Sequence, residues 1–180
     1  MSRLPASLYR AIGRFSVTSF DRRLHSILYR LTGGRWFLGN ILGCEMILVT
    51  STGARTGKRR TVALFAFPDG DRWFVVASRG GSAHLPGWYR NLAADPRGRV
   101  QHRRVAWPVT ASVASGDERA RLWAIAAAAY PGFDTYRAQT PYQIPVVVLA
   151  PVVAATSEAA APVAAPGPAA APAAPAAPAA

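Results

Sequence analysis

Four cations, Arg55, Lys58, Arg59 and Arg60, fall in one short stretch, TSTGARTGKRR, with Gly53 and Gly57 among them and no acid between Glu45 and Asp69. Such a stretch can hold an oxyanion. Guanidinium and ammonium groups give charge-assisted hydrogen bonds to phosphate or carboxylate, and glycines let the backbone come close to the ligand. It is not a P-loop. Only three residues separate Gly53 from Gly57, Lys58 is followed by Arg rather than Ser or Thr, and no GxGxxG dinucleotide fingerprint occurs in the chain. A solvated turn whose charges protect a sheet edge is the plainer reading, but four cations without a neighbouring acid favour a ligand.

Other reactive residue types are sparse. His25, His84 and His102 are scattered without metal-ligand spacing, so no metal site is expected. Cys44 is the one cysteine, which excludes an intramolecular disulfide and fits a reducing compartment. The formal charge is +12, and residues 1–60 carry eleven Lys/Arg against Asp21 and Glu45. A chain so basic meets something anionic: nucleic acid, a membrane surface, or a phosphorylated or carboxylated small ligand.

The elements that must position the cationic stretch can be read from periodicity. Leu4, Leu8, Ala11, Ile12 and Phe15, then Phe20, Leu24, Ile27, Leu28 and Leu31, recur at helical spacing with Arg3, Arg10, Arg14 and Arg22 off that face. Residues 1–40 are therefore expected to form an amphipathic helical segment, which packs on the domain or rests on an anionic membrane and is too interrupted to span one. From Glu45 the period becomes that of strands: 46–51, 60–67 and 72–78, the last two joined by a Pro68-Asp-Gly-Asp71 turn, so the cationic stretch lies in a hairpin. A loop at 79–87, a short helix at 88–94, a strand pair at 99–113, a helix at 116–130 opened by Asp117 and Glu118, and a last strand at 144–149 follow. Residues 41–152 thus form one α+β domain, a mainly antiparallel small barrel with inserted helices. Residues 153–180, nearly all Ala, Pro and Gly, are expected to remain a disordered tail.

Three blocks, TSTGARTGKRR, DGDRWFVVASRGGSAHLPGWYRNLAADP and YPGFDTYRAQTPYQIPVVVLAP, resemble in order and spacing the deazaflavin-dependent nitroreductase family, split β-barrel oxidoreductases that use coenzyme F420. The resemblance runs from about Cys44 to Pro151. It implies that Arg55, Thr56, Lys58 and Arg60 meet the coenzyme's phosphate and poly-γ-glutamate tail, a strongly anionic partner. Ser78, Arg79, Gly80 and Gly81 match a Ser-Lys-Gly-Gly segment along the deazaflavin, Arg79 replacing the commoner lysine. Pro86, Trp88 and Asn91 match a Pro-x-Trp-x-x-Asn helix whose start packs near the ring. Tyr130 and Tyr136 match aromatic positions on the acceptor side, and Phe133 stands where the nitroimidazole-activating member has a tyrosine.

The implied activity is hydride transfer from reduced F420 to a quinone-like or nitroaromatic acceptor, with Ser78, Tyr130 and Tyr136 as the catalytic candidates. The implied setting is cytoplasmic, with peripheral contact at the inner face of the plasma membrane through the N-terminal segment and no nucleic acid. Competing readings are a basic membrane-surface or nucleic-acid module, and the same barrel holding FMN or haem.

Overall fold

The computed structural model describes Tyr29 and residues 44–152, so the helices expected over 1–40 and the tail expected over 153–180 lie outside the described residues. Among the described residues, six strands and three α-helices follow one another: β1 (Glu45–Thr52), β2 (Arg59–Asp69), β3 (Arg72–Val76), α1 (Gly87–Ala94), β4 (Arg97–His102), β5 (Val105–Val113), α2 (Gly116–Ala129), α3 (Gly132–Gln139) and β6 (Val146–Pro151). Every pairing is antiparallel, and the order β1-β2-β3-β6-β5-β4 closes through β4 onto β1.

Side-chain alternation along these strands builds two cores. Ile47, Val49, Ala66, Val75, Val100, Val109, Val147 and Leu149 point into the barrel, so each strand gives its interior at least one residue. The residues between them on β2, β3 and β6, including Phe67, Phe74, Val76, Val146 and Val148, face outward and are covered by Leu122, Trp123 and Ala126 of α2 and by Phe133 and Tyr136 of α3. Gly70 (φ 65°) supplies the positive φ that the two-residue β2–β3 connection needs.

Ion pairs seat α2 across the barrel. Asp69, at the end of β2, receives both Arg121 nitrogens at 2.7 and 3.0 Å and Arg72 at 2.6 Å, while Arg72 also meets Glu118 at 3.2 Å. The Arg121 guanidinium first, and Arg72 with it, hold the Asp69 carboxyl down at about 2. Across the barrel, the buried Tyr29 hydroxyl donates to Met46 O at 2.9 Å and accepts the Arg103 N–H at 2.8 Å, pinning the β4–β5 turn where Arg103 has φ 53°.

The expected helix at 116–130 and the strands are present with small shifts of their ends. One expected strand ends early: β3 stops at Val76 rather than Ser78, because Pro145, opposite Ala77, accepts the Ala77 N–H but has no N–H to return, and Ser78 is already in the right-handed helical region. Helix α3 was not foreseen.

Candidate active site

The cationic hairpin closes on itself. The Gly53 N–H donates to Lys58 O at 2.9 Å, and the Thr56 and Gly57 N–H groups donate to Gly53 O at 3.1 and 2.8 Å. The Ala54 N–H goes to Asn91 Oδ1 at 3.1 Å. A Cβ on Gly53 would lie 3.0 Å from both Lys58 O and Thr56 Oγ1, so that glycine is needed for closure of the turn. The glycines were expected to let the backbone approach an oxyanion; in the fold the N–H groups at 53, 54, 56 and 57 all have acceptors inside the protein. Arg55, Lys58, Arg59 and Arg60 are exposed, and within the described residues no carboxylate pairs with any of them. Strand register divides them, since Arg60 lies opposite Ser51 and Arg59 opposite Thr52, on the other face of the sheet.

A second group forms where β3 ends. Ser78, 7% exposed, has right-handed φ and ψ, and Arg79, Gly80 and Gly81 follow with φ of 45°, 64° and 79°. A right-to-left succession of this kind gathers backbone N–H groups into a concave nest, and Arg79 holds a φ that side chains rarely adopt. The segment is braced by Gly81 N–H to Ser78 O (3.0 Å) and by Tyr142 hydroxyl to Ser82 O (3.0 Å). Burial pushes the Tyr142 phenol upward in pKa, against a smaller opposing pull from Arg79. Gly81 lies against α3, where a Cβ would meet Gln139 Oε1 at 2.8 Å and Tyr136 Cδ1 at 3.2 Å.

Tyr130 and Tyr136 meet there. Their hydroxyls are 3.0 Å apart and their side chains are buried, with Phe133 edge-on to both rings at 5.1 and 6.3 Å and Phe65 at 5.8 Å from Tyr130. Trp123 ties α3 to α2 through its indole N–H to Asp134 Oδ1 at 3.1 Å. Cys44 is no nucleophile in waiting, because burial raises its thiol to about 11.

Helix α1 carries the third expected group. Pro86 is buried, while Trp88 and Tyr89 pack on the barrel interior beside Leu92. Asn91, expected to touch the coenzyme, accepts the Ala54 N–H at its Oδ1 (3.1 Å) and donates its Nδ2 to Ser51 Oγ (3.3 Å). The structure thus joins Asn91 to the cationic hairpin, and Ser78–Gly81 to the tyrosines through α3. Ser51, Phe65, Gly132 and Tyr142 were missed. Ser51 alone carried a signal, a hydroxyl at an inward-facing strand position.

Exposed cations on a hairpin whose backbone is already satisfied suit a ligand with a phosphate and carboxylates. A glycine-rich strand exit with left-handed backbone suits the close approach of a flat ring. The residues present therefore fit an anionic deazaflavin, and together with a small antiparallel barrel they define an oxidoreductase of the split-barrel class. The model of the F420H(2)-dependent quinone reductase family matches residues 21–151. An F420H(2)-dependent quinone reductase of Mycobacterium tuberculosis is 39% identical over 132 residues, covering 71% of this chain and 87% of that protein. The solved structure of an F420-H2 dependent reductase, FDR-A, is 37% identical with a TM-score of 0.55, covering 58% of this chain and 93% of that one. The chain belongs to the F420H(2)-dependent quinone reductase family. It is an oxidoreductase whose cofactor is coenzyme F420, and the alternative of FMN or haem in the barrel gives way. Among the described residues, no helix is long and apolar enough to cross a membrane.

Proposed function

We propose that the chain reduces a quinone over the face of the coenzyme beside Tyr136, with Tyr136 and Tyr130 stabilising and protonating the oxygen that gains charge. When bound, the reduced coenzyme supplies a hydride. In this reading Arg55, Thr56, Lys58 and Arg60 hold its phosphate and glutamate tail, Ser78, Arg79, Gly80 and Gly81 line the deazaflavin, and Pro86 and Trp88 support the ring end of the site.

The observation that carries the proposal is the hydroxyl pair: Tyr130 Oη and Tyr136 Oη 3.0 Å apart, 3% and 4% exposed by residue, with the Tyr136 ring edge beside Gly81. A quinone that has received hydride carries an oxyanion. A phenol O–H donated to it is strengthened when a second phenol donates to the first, and surrounding Phe65 and Phe133 rings keep the local dielectric low. The buried Ser78 stands at the strand exit as a further donor. Phe133 has no hydroxyl to hold a nitro group, which favours quinones over nitroimidazoles. Exposed Arg99, Arg103 and Arg104, together with the arginine-rich segment at 1–40, support approach to an anionic membrane in which a quinone dissolves.

The test follows oxidation of reduced coenzyme with menadione and with a nitroimidazole. Tyr136→Phe is expected to lower menadione kcat by roughly 10- to 100-fold, and Phe133→Tyr to raise nitroimidazole turnover. Unchanged menadione turnover in Tyr136→Phe would remove the tyrosine pair from the reaction.

A further inference from the structure

Asn91 bridges two elements that are far apart in sequence. Its Oδ1 accepts the Ala54 N–H at the start of the cationic turn, and its Nδ2 donates to Ser51 Oγ near the end of β1. The reverse amide orientation would set an NH2 group against an N–H, so the direction of the amide is chemically fixed. Ser51 is 3% exposed, and the next helical residue, Leu92, is 4% exposed inside the barrel, so both lie in the core. The turn they hold has its other hydrogen bonds within itself.

We infer that Asn91 is a positioning residue for the coenzyme, acting through the hairpin: it locks the turn at 53–58 to α1 so that Arg55, Lys58 and Arg60 stand ready for the phosphate and carboxylates. This rests on the reading of the hairpin as the holder of the anionic tail. Without the latch the turn keeps its internal bonds and its charges but loses its bond to α1. Binding must then order the hairpin at the moment of contact, and affinity falls accordingly. A residue that touched the ring or the ribityl chain would instead matter equally for a coenzyme lacking its tail.

The experiment measures dissociation constants by fluorescence for two ligands, the oxidised coenzyme and its phosphate-free deazaflavin nucleoside, with wild type, Asn91→Ala and Ser51→Ala, each checked by thermal unfolding. Ser51→Ala leaves Asn91 in place and removes one of its anchors. The expected result is a fivefold or larger weakening for the full coenzyme in Asn91→Ala, a smaller weakening in Ser51→Ala, and less than twofold change for the nucleoside in both. Equal weakening for both ligands would overturn the inference in favour of direct contact, as would a loss in Asn91→Ala with none in Ser51→Ala. If Asn91→Ala does not fold, the coenzyme-against-nucleoside contrast in Ser51→Ala decides alone. If Lys58→Ala/Arg60→Ala also binds the full coenzyme normally, the reading of the hairpin fails and the inference with it. If that double variant binds weakly while Asn91→Ala does not, the latch alone is refuted.

Discussion

Gly132→Ala tests how tightly the tyrosine pair is built. A Cβ at 132 would sit 2.4 Å from Tyr130 Cε1, 2.6 Å from Cζ and 2.9 Å from the hydroxyl oxygen. Carbon atoms need about 3.5 Å or more, so the ring must move by roughly 1 Å. It has little room, because it already packs edge-on to Phe133 at 5.1 Å and tilted to Phe65 at 5.8 Å. A shift of that size also stretches the 3.0 Å bond to Tyr136 beyond hydrogen-bond range. Overpacking of this kind costs about 1–3 kcal/mol. Against it stands the helix preference of Ala over Gly, at most about 1 kcal/mol and less at the first residue of α3. The clash wins by roughly 1–2 kcal/mol, which for a domain of this size lowers Tm by about 4–8 °C. Scanning calorimetry of Gly132→Ala, Tyr130→Ala and the double variant forms a cycle in which the cost of Gly132→Ala should disappear once the ring is gone. In the Tyr130-containing enzyme, menadione kcat should fall while coenzyme affinity holds. Additive costs in the cycle, or an unchanged Tm for Gly132→Ala, would refute the packing argument.

Lys58→Ala/Arg60→Ala should weaken coenzyme binding by roughly 10- to 100-fold, below the full value of two buried charge-assisted contacts because both side chains are exposed and screened. A binding titration at two ionic strengths checks it: salt should weaken the wild type more than the double variant. Asp69→Asn should lower Tm by a few degrees at neutral pH, since it removes the shared acceptor of Arg72 and Arg121. The folded carboxyl titrates at about 2, below its ordinary 3.8, so the stabilisation is present above about pH 4 and lost as pH falls through about 2. Thermal unfolding of wild type and variant should therefore converge in acid.

What could be read from the sequence was local. Strand alternation, the turn at 68–71, the acids opening α2 and the density of cations at 55–60 each lie within a dozen residues, and each is matched in the fold. Helix α3 escaped because it begins Pro131-Gly132, two residues that punctuate loops, although Asp134 in its first turn and Arg137 in its last are the charges a helix favours at those ends. Pairings at long range carried no local mark. Closure of β4 onto β1 is one, and the bond from Asn91 to Ser51, forty residues back, is another. Asn91 was singled out as a ligand contact because its position matched a motif; only the fold reveals that its amide also bonds the hairpin.

The two halves of the site are mounted on different cores, and strand β3 belongs to both. Its Val75 faces the barrel interior, where Leu92 and Trp88 anchor α1 and through Asn91 the cationic hairpin. Its Phe74 and Val76 face outward, into the cluster that holds Tyr130, Phe133 and Tyr136. The strand then runs directly into Ser78–Gly81, with Gly81 against Tyr136. A change on the interior side can thus loosen the cationic hairpin without moving the tyrosines, and a change on the outer side can displace the tyrosines without moving the cations. Substitutions at 51, 58, 60 and 91 should appear in affinity for the coenzyme, and those at 130, 132 and 136 in turnover of the quinone. Only the segment at 78–81, which leaves a strand shared by the two cores and meets Tyr136 through Gly81, should move both together.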